Sequence, residues 1–304
     1  MIQVNNLTKK FGSFTALDNI SCNINEGCIY GLVGSNGAGK STFLRLITGI
    51  YKADGGTALL DGEKVYENPK MKNRFAFVPD ELYFLPSSSM DRMSELYASI
   101  YSEFDKNRYR ELANLFGLNT KLSINTFSKG MKRQAITILA LASKPKYIFF
   151  DETFDGLDPV MRNIVKNIIC NDVVQRKATA IISSHSLREL EDTCDQLALI
   201  HKGGLVLESD VQNLKTALFK VQIAFNEDYD ITRFAGIEVL HFSKMGSVAK
   251  LIVRGEKEDV IARLKAMNPL MLDVLPLSLE EVFTYELASR GYSFEKFIDE
   301  VVAQ

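Results

Sequence analysis

Apolar and polar positions alternate along the start of the chain. Ile2, Val4 and Leu7, then Ile20, Cys22 and Ile24, are separated by polar residues. A period of two predicts half-buried strands of an antiparallel layer. The pattern then tightens: Cys28-Ile29-Tyr30-Gly31-Leu32-Val33 is a continuous apolar run that ends at a glycine-rich stretch. Phe43, Leu44, Ile47 and Ile50 recur at helical spacing, which predicts a helix over 41–50 with Gly49 near its end. Strands are expected over 57–62, entering a turn at Asp61-Gly62, and over 75–78, stopped by Pro79.

From 90 to 143 the alternation disappears. Leu96, Ile100, Tyr101 and Phe104, then Leu112, Leu115 and Phe116, then Ile136, Leu139 and Ala140 predict helices. Two short apolar runs, 147–150 and 178–182, flank a helical pattern over 160–174. Buried strands alternating with helices are what a parallel sheet covered on both faces requires. The character changes after Leu218. Phe219, Val221, Ile223 and Phe225 alternate, strands are expected over 248–253 and 271–275, and helices over 258–267 and from Ser278. Phe294, Phe297, Ile298, Val301 and Val302 form a last helical stripe. The expected organisation is an α/β domain over 1–217, with a helical subdomain over about 85–141, and a small C-terminal α+β accessory domain over 218–304.

Composition narrows the classes without naming one. The 304 residues suffice for a large domain and a small second one. A net charge of -2 offers no electrostatic case for a nucleic-acid partner. No apolar stretch approaches the roughly 20 residues that cross a bilayer, and the start lacks the layout of a secretion signal. Cys22, Cys28, Cys170 and Cys194 show no C-x-x-C spacing and read as buried free thiols of a reducing compartment. The expected location is therefore cytoplasmic, with any membrane role supplied through a partner.

Chemistry enters at Gly34-Ser35-Asn36-Gly37-Ala38-Gly39-Lys40-Ser41, which matches G-x-x-x-x-G-K-[ST]. Glycines let successive backbone N–H groups curl round an anion, and the following helix adds the positive end of its dipole. Lys40 can neutralise phosphate oxygens, and the Ser41 hydroxyl can ligate Mg²⁺. The loop alone leaves a small-molecule kinase, a GTPase and a transport ATPase open. A second feature bears on the choice: Tyr147-Ile148-Phe149-Phe150-Asp151-Glu152 is an apolar strand that ends in two carboxylates. Ligands of such sheets sit beyond the carboxyl ends of the strands. Asp151 is thereby expected near the Mg²⁺ on Ser41, and Glu152 on the γ-phosphate side, able to polarise a water.

Over residues 1–214 the chain resembles the nucleotide-binding subunit of ATP-binding cassette (ABC) transporters. The resemblance implies the ABC type of P-loop NTPase fold: a mixed sheet core, an antiparallel β layer and a helical subdomain. It makes residues 34–41 the Walker A motif, with Thr42 also at the nucleotide, and Asp151-Glu152 the end of Walker B with Glu152 catalytic. Phe127-Ser128-Lys129-Gly130-Met131 is similar to the family signature L-S-G-G-Q, which implies that Ser128 and Gly130 contact the γ-phosphate held by the opposite subunit. Asp155-Gly156-Leu157-Asp158 resembles the D-loop, placing Asp158 at the shared site. His185, in Ser183-Ser184-His185, matches the catalytic switch histidine, and Phe11 the aromatic that stacks on adenine.

Departures accompany the likeness. Lys129 replaces a signature glycine, Met131 the glutamine, and Thr153 the proline after the catalytic glutamate. Asp80, in Val78-Pro79-Asp80-Glu81, stands where the Q-loop has glutamine. An aspartate is a hard oxygen donor, so Asp80 is expected with Ser41 and Asp151 on the Mg²⁺ side. The implied function is ATP hydrolysis by a dimer, a homodimer or heterodimer with a second nucleotide-binding subunit, that drives separate integral membrane permease subunits from the inner face of the membrane. The signature variant and residues 277–283 resemble bacterial exporters of the drug- and peptide-efflux type. The alternative is a non-transport ABC ATPase or a nucleotide-gated regulatory module. The long coiled-coil insertions of the former are absent, and Glu152 and His185 argue for turnover.

Overall fold

The alternation that opens the chain builds a ladder. In the computed structural model, which describes residues 1–154 and 156–289, β1 (Ile2–Phe11) pairs antiparallel with β2 (Phe14–Ile24). Asp155 of the expected D-loop and the stripe from Phe294 to Val302 lie outside the described residues. β3 (Ile29–Val33) leads through the glycine-rich loop into α1 (Lys40–Ile47). β4 (Gly55–Leu60), β5 (Glu63–Lys64), the short α2 (Pro69–Lys72) and β6 (Phe75–Val78) follow. α1 stops before the expected Ile50 because Gly49 turns left-handed, at φ 62°.

The helical stretch resolves into α3 (Met90–Ile100), α4 (Lys106–Leu115) and α5 (Lys129–Ala142). Then β7 (Tyr147–Asp151), α6 (Pro159–Arg176), β8 (Thr179–Ser184), α7 (Leu187–Glu191), β9 (Gln196–His201) and β10 (Gly204–Asp210) complete the first region. β2-β1-β4-β5 form one sheet and β10-β9-β3-β8-β7-β6 another. Ile2, Val4 and Leu7 of β1, Phe43, Leu44 and Ile47 of α1, and Tyr147 and Phe149 of β7 share one buried cluster. The phosphate loop helix is thus held by packing on both sheets.

The chain divides into two compact units, Met1–Glu208 and Ser209 onward. The second holds α8 (Val211–Ala217), β11 (Leu218–Ala224), β12 (Glu238–Met245), β13 (Val248–Arg254), α9 (Lys257–Ala266), β14 (Met271–Leu275) and α10 (Leu279–Ser289). Its sheet runs β12-β13-β11-β14. Phe219, Val221, Ile223, Leu251 and Val253 bury one face with Val260 and Leu264 of α9. On the opposite face Lys220 and Arg254 pair with Glu281 and Glu286 of α10. Among the described residues no helix is long and apolar enough to cross a membrane.

Candidate functional site

β3, β8, β7 and β6 run parallel, with Val33 opposite Ser184, Asp151 opposite Ser183, and Val78 opposite Phe150. Their carboxyl ends therefore open at one edge, and the segments that follow them meet there. After β3 comes the loop over 34–39. Gly39 has φ 112°, and a Cβ there would come within 2.7 Å of the Leu17 side chain and 2.8 Å of Ala16 O. Only glycine suits both the conformation and the space. Ala38 is buried, Asn36 and Gly37 are exposed, and Gly34 and Ser35 lie at the base of the loop. Lys40 opens α1 and is itself buried; its Nζ donates to Gly34 O at 2.6 Å and Ser35 O at 3.1 Å. Ser41 and Thr42 follow in the same turn, both half-buried.

The acidic strand end meets this loop directly. Lys40 Nζ lies 3.0 Å from Glu152 Oε1, and His185 Nδ1 lies 3.1 Å from Glu152 Oε2. Glu152 adopts φ 48°, a left-handed conformation that costs a residue with a Cβ about 1–2 kcal/mol. Backbone strain of that kind concentrates at working sites. Part of what holds it is Ser183, whose Oγ accepts the Glu152 N–H at 3.1 Å and donates to Asp151 Oδ1 at 2.8 Å. Ser41 Oγ donates to the same oxygen at 3.0 Å. Burial raises the Asp151 carboxyl above its ordinary range, although the Ser183 and Ser41 donors pull the other way.

Asp151 Oδ2 is buried and has no hydrogen-bond partner among the described residues. A carboxylate oxygen left this way suits a hard cation. No cluster of three or more His, Cys, Asp or Glu among the described residues could hold a metal alone. That too fits Mg²⁺, which takes one or two carboxylates and fills its remaining positions with phosphate oxygens and water.

The other expected residues bond elsewhere. Ser128 caps α5, its Oγ accepting the Met131 N–H at 3.2 Å. A Cβ on Gly130 would lie 3.2 Å from Gly156 O, so the signature turn abuts the segment that follows Glu152. Asp158 caps α6, accepting the Val160 and Met161 N–H groups, each at 3.0 Å. Phe11 ends β1 half exposed, edge-on to Tyr51 at 5.6 Å. Asp80 follows β6, and its Oδ1 accepts from Arg133 Nη2 at 2.9 Å.

Three contributors escaped the sequence reading. Ser183 carried a signal, a hydroxyl at the end of an apolar strand, but its two bonds depend on the register of β7 with β8. Glu189 accepts the Ser184 hydroxyl at 2.6 Å and pairs with Arg162 of α6 at 2.8 Å, anchoring the residue before His185. Arg133, inside an apolar helix, gave no sign of its partner.

Residues 17–155 match the family model described as ABC transporter. The ABC transporter ATP-binding protein YtrB of Bacillus subtilis is 31% identical over 284 residues, covering 93% of this chain and 97% of that protein. The bacitracin transport ATP-binding protein BcrA of Bacillus licheniformis is 32% identical, with 71% of each chain covered. The lantibiotic transport ATP-binding protein SrtF of Streptococcus pyogenes is 30% identical and covers 75% of this chain and 99% of that protein. In fold, the chain resembles a solved ATP-binding subunit of an ABC transporter with a TM-score of 0.66 at 24% identity, covering 71% of this chain and 92% of that one. A post-hydrolysis dimer of the cassette MJ0796 bound to ADP and Pi gives 0.64 at 21% identity, over 69% and 99%.

Proposed function

Because the chain belongs to the family of ABC transporter ATP-binding proteins and is an ATPase subunit of that family, we propose that it binds Mg·ATP between two such subunits and drives export through separate permease subunits. The observation that carries the reading is the contact chain Lys40–Glu152–His185 beside Asp151, closed within one glycine-rich cradle.

Phosphate binding follows from the loop. The backbone of residues 34–39 and the start of α1 face an anion with partial positive charge, and Lys40 adds a full one. Ser41 Oγ and Asp151 Oδ2 would hold Mg²⁺, which when bound neutralises phosphate charge and fixes the γ-phosphoryl group. Asp80, expected beside them, is instead engaged by Arg133. Glu152 is placed to accept the proton of the attacking water at a carboxylate oxygen. His185, braced through Ser184 and Glu189, steadies the γ-phosphate side. Phe11, exposed at the end of β1, offers a face for adenine. Ser128 and Gly130, at the start of α5, present a helix N-terminus to the nucleotide of the partner subunit, with Asp158 beside the shared interface.

The permease partner and attachment at the cytoplasmic membrane face follow the transport roles of the relatives. The names of BcrA and SrtF, a bacitracin and a lantibiotic transport protein, favour export. The accessory unit is proposed to serve dimerisation or regulation.

Single-turnover hydrolysis by purified protein tests the catalytic part. Glu152→Gln is expected to bind ATP and to lose about 10²–10⁴-fold in rate, the usual contribution of a general base. Equal rates for the two proteins would sink the assignment.

A further inference from the structure

Among the described residues Arg133 has the largest fully buried side chain. A guanidinium withdrawn from water needs both a counter-charge and acceptors. Arg133 finds them in one place. Nη1 donates to Pro79 O at 3.2 Å, Nη2 donates to Asp80 Oδ1 at 2.9 Å, and Nε has no partner. Its polar partners thus come from the two residues that follow β6. The dependence is one-sided: the Asp80 side chain is 47% exposed and open to water, whereas that of Arg133 is 1% exposed.

Each end of this pair belongs to a different part of the nucleotide machinery. Val78 stands opposite Phe150, so the residues after β6 run level with Asp151 and Glu152 at the sheet edge. Arg133 lies in the opening turns of α5, the helix capped by Ser128 and bearing Gly130.

We propose that Asp80 is a positioning residue rather than a metal ligand: with Arg133 it forms an ionic latch that makes the loop after β6 and the start of α5 move as one body. Resting on the reading of the site as an ATP cradle, the latch gives the nucleotide held by one subunit a mechanical hold on the turn that addresses its partner's. Moving the loop alone would strip a buried cation of its only carboxylate among the described residues. Moving loop and helix together costs nothing of that kind.

The test is a double-mutant cycle on the full chain, reading ATP turnover and its Mg²⁺ dependence for wild type, Asp80→Asn, Arg133→Gln and the double variant. The latch predicts that each single change lowers kcat about tenfold, with KM for ATP and the half-saturating Mg²⁺ within about twofold, and that the double falls no lower than the worse single. An Asp80→Asn protein whose Mg²⁺ requirement rises about tenfold while Arg133→Gln leaves it unchanged, or losses that multiply in the double, overturns it. Where Arg133→Gln does not fold, Arg133→Lys takes its place under the same criteria, since an ammonium reaches Asp80 without the fork that also holds Pro79 O. Wild-type turnover separates the two readings. If wild type and Glu152→Gln are equally inactive, the cradle assignment fails; if wild type is active and the losses multiply, only the latch fails.

Discussion

Replacing Ser183 by alanine removes one oxygen and two bonds. The Asp151 carboxylate loses the shorter of its two hydroxyl donors, and the Glu152 amide loses its acceptor while still held at φ 48°. A hydrogen bond to a charged group is worth about 1.5–3 kcal/mol, and an orphaned buried donor costs about 1–3 kcal/mol. Ser41 still donates to the same Asp151 oxygen, which puts the first contribution at its lower end. Ser183 is 1% exposed, so water does not readily replace it. The expected loss is about 3 kcal/mol, which at about 1.4 kcal/mol per factor of ten corresponds to a hundredfold rise in local opening. Two measurements read it: the urea transition of the Met1–Glu208 unit by circular dichroism, and amide exchange in a peptide spanning residues 147–154. Asp151, already raised by burial, should rise further without this donor. The acid limb of the ATPase profile should therefore move to higher pH. A stability loss below about 1 kcal/mol with unchanged exchange would refute the role given to Ser183.

Two further outcomes follow from other parts of the molecule. Phe11→Ala should raise KM for ATP about tenfold and leave kcat nearly unchanged, since base–aromatic stacking contributes about 1–3 kcal/mol and acts on binding; an unaltered KM removes Phe11 from the adenine site. Asp61 is held below its ordinary value of 3.8: burial opposes its charge, but bonds from Tyr147, the amino terminus and Lys146 outweigh it. Its stabilisation is therefore present above about pH 4 and lost as pH falls. The gap between melts of wild type and Asp61→Asn should begin to narrow as pH falls from 7 to 3, and parallel curves would contradict the assignment.

Elements that carry their own signal were legible in the sequence. β6 and β14 fall where the apolar pattern places them, over Phe75–Val78 and Met271–Leu275. The loop over 34–41 declares itself because backbone curvature demands glycine at fixed positions. β12 was hidden by physics rather than by chance: its register shifts between Val239 and His241, and the bulge breaks the period of two on which strand recognition rests. β9 and β10 flank the Lys202-Gly203 turn, and their apolar residues alone do not tell a buried strand from a helix segment. At the site, contacts made through tertiary packing could not be read. Arg133 and Asp80 sit on separate elements, and only the packing of α5 beside β6 joins them. Asp158 shows a related limit, because an aspartate before a proline at a helix start reads equally as a cap and as an interface group.

The strand order has a mechanical consequence. β3, which carries the phosphate loop, has β9 on one side and β8 on the other. β6, which Asp80 follows, is a four-residue strand at the sheet edge with β7 as its single neighbour among the described residues. Stiffness in a sheet grows with the number of flanking ladders and falls toward its edges, where local opening costs least. The anchor for ATP is therefore rooted in a strand with ladders on both sides, and the element that must answer to it in a strand with a ladder on one. A displacement at the cradle would be expressed at the rim, as load on a clamped beam is expressed at its free end.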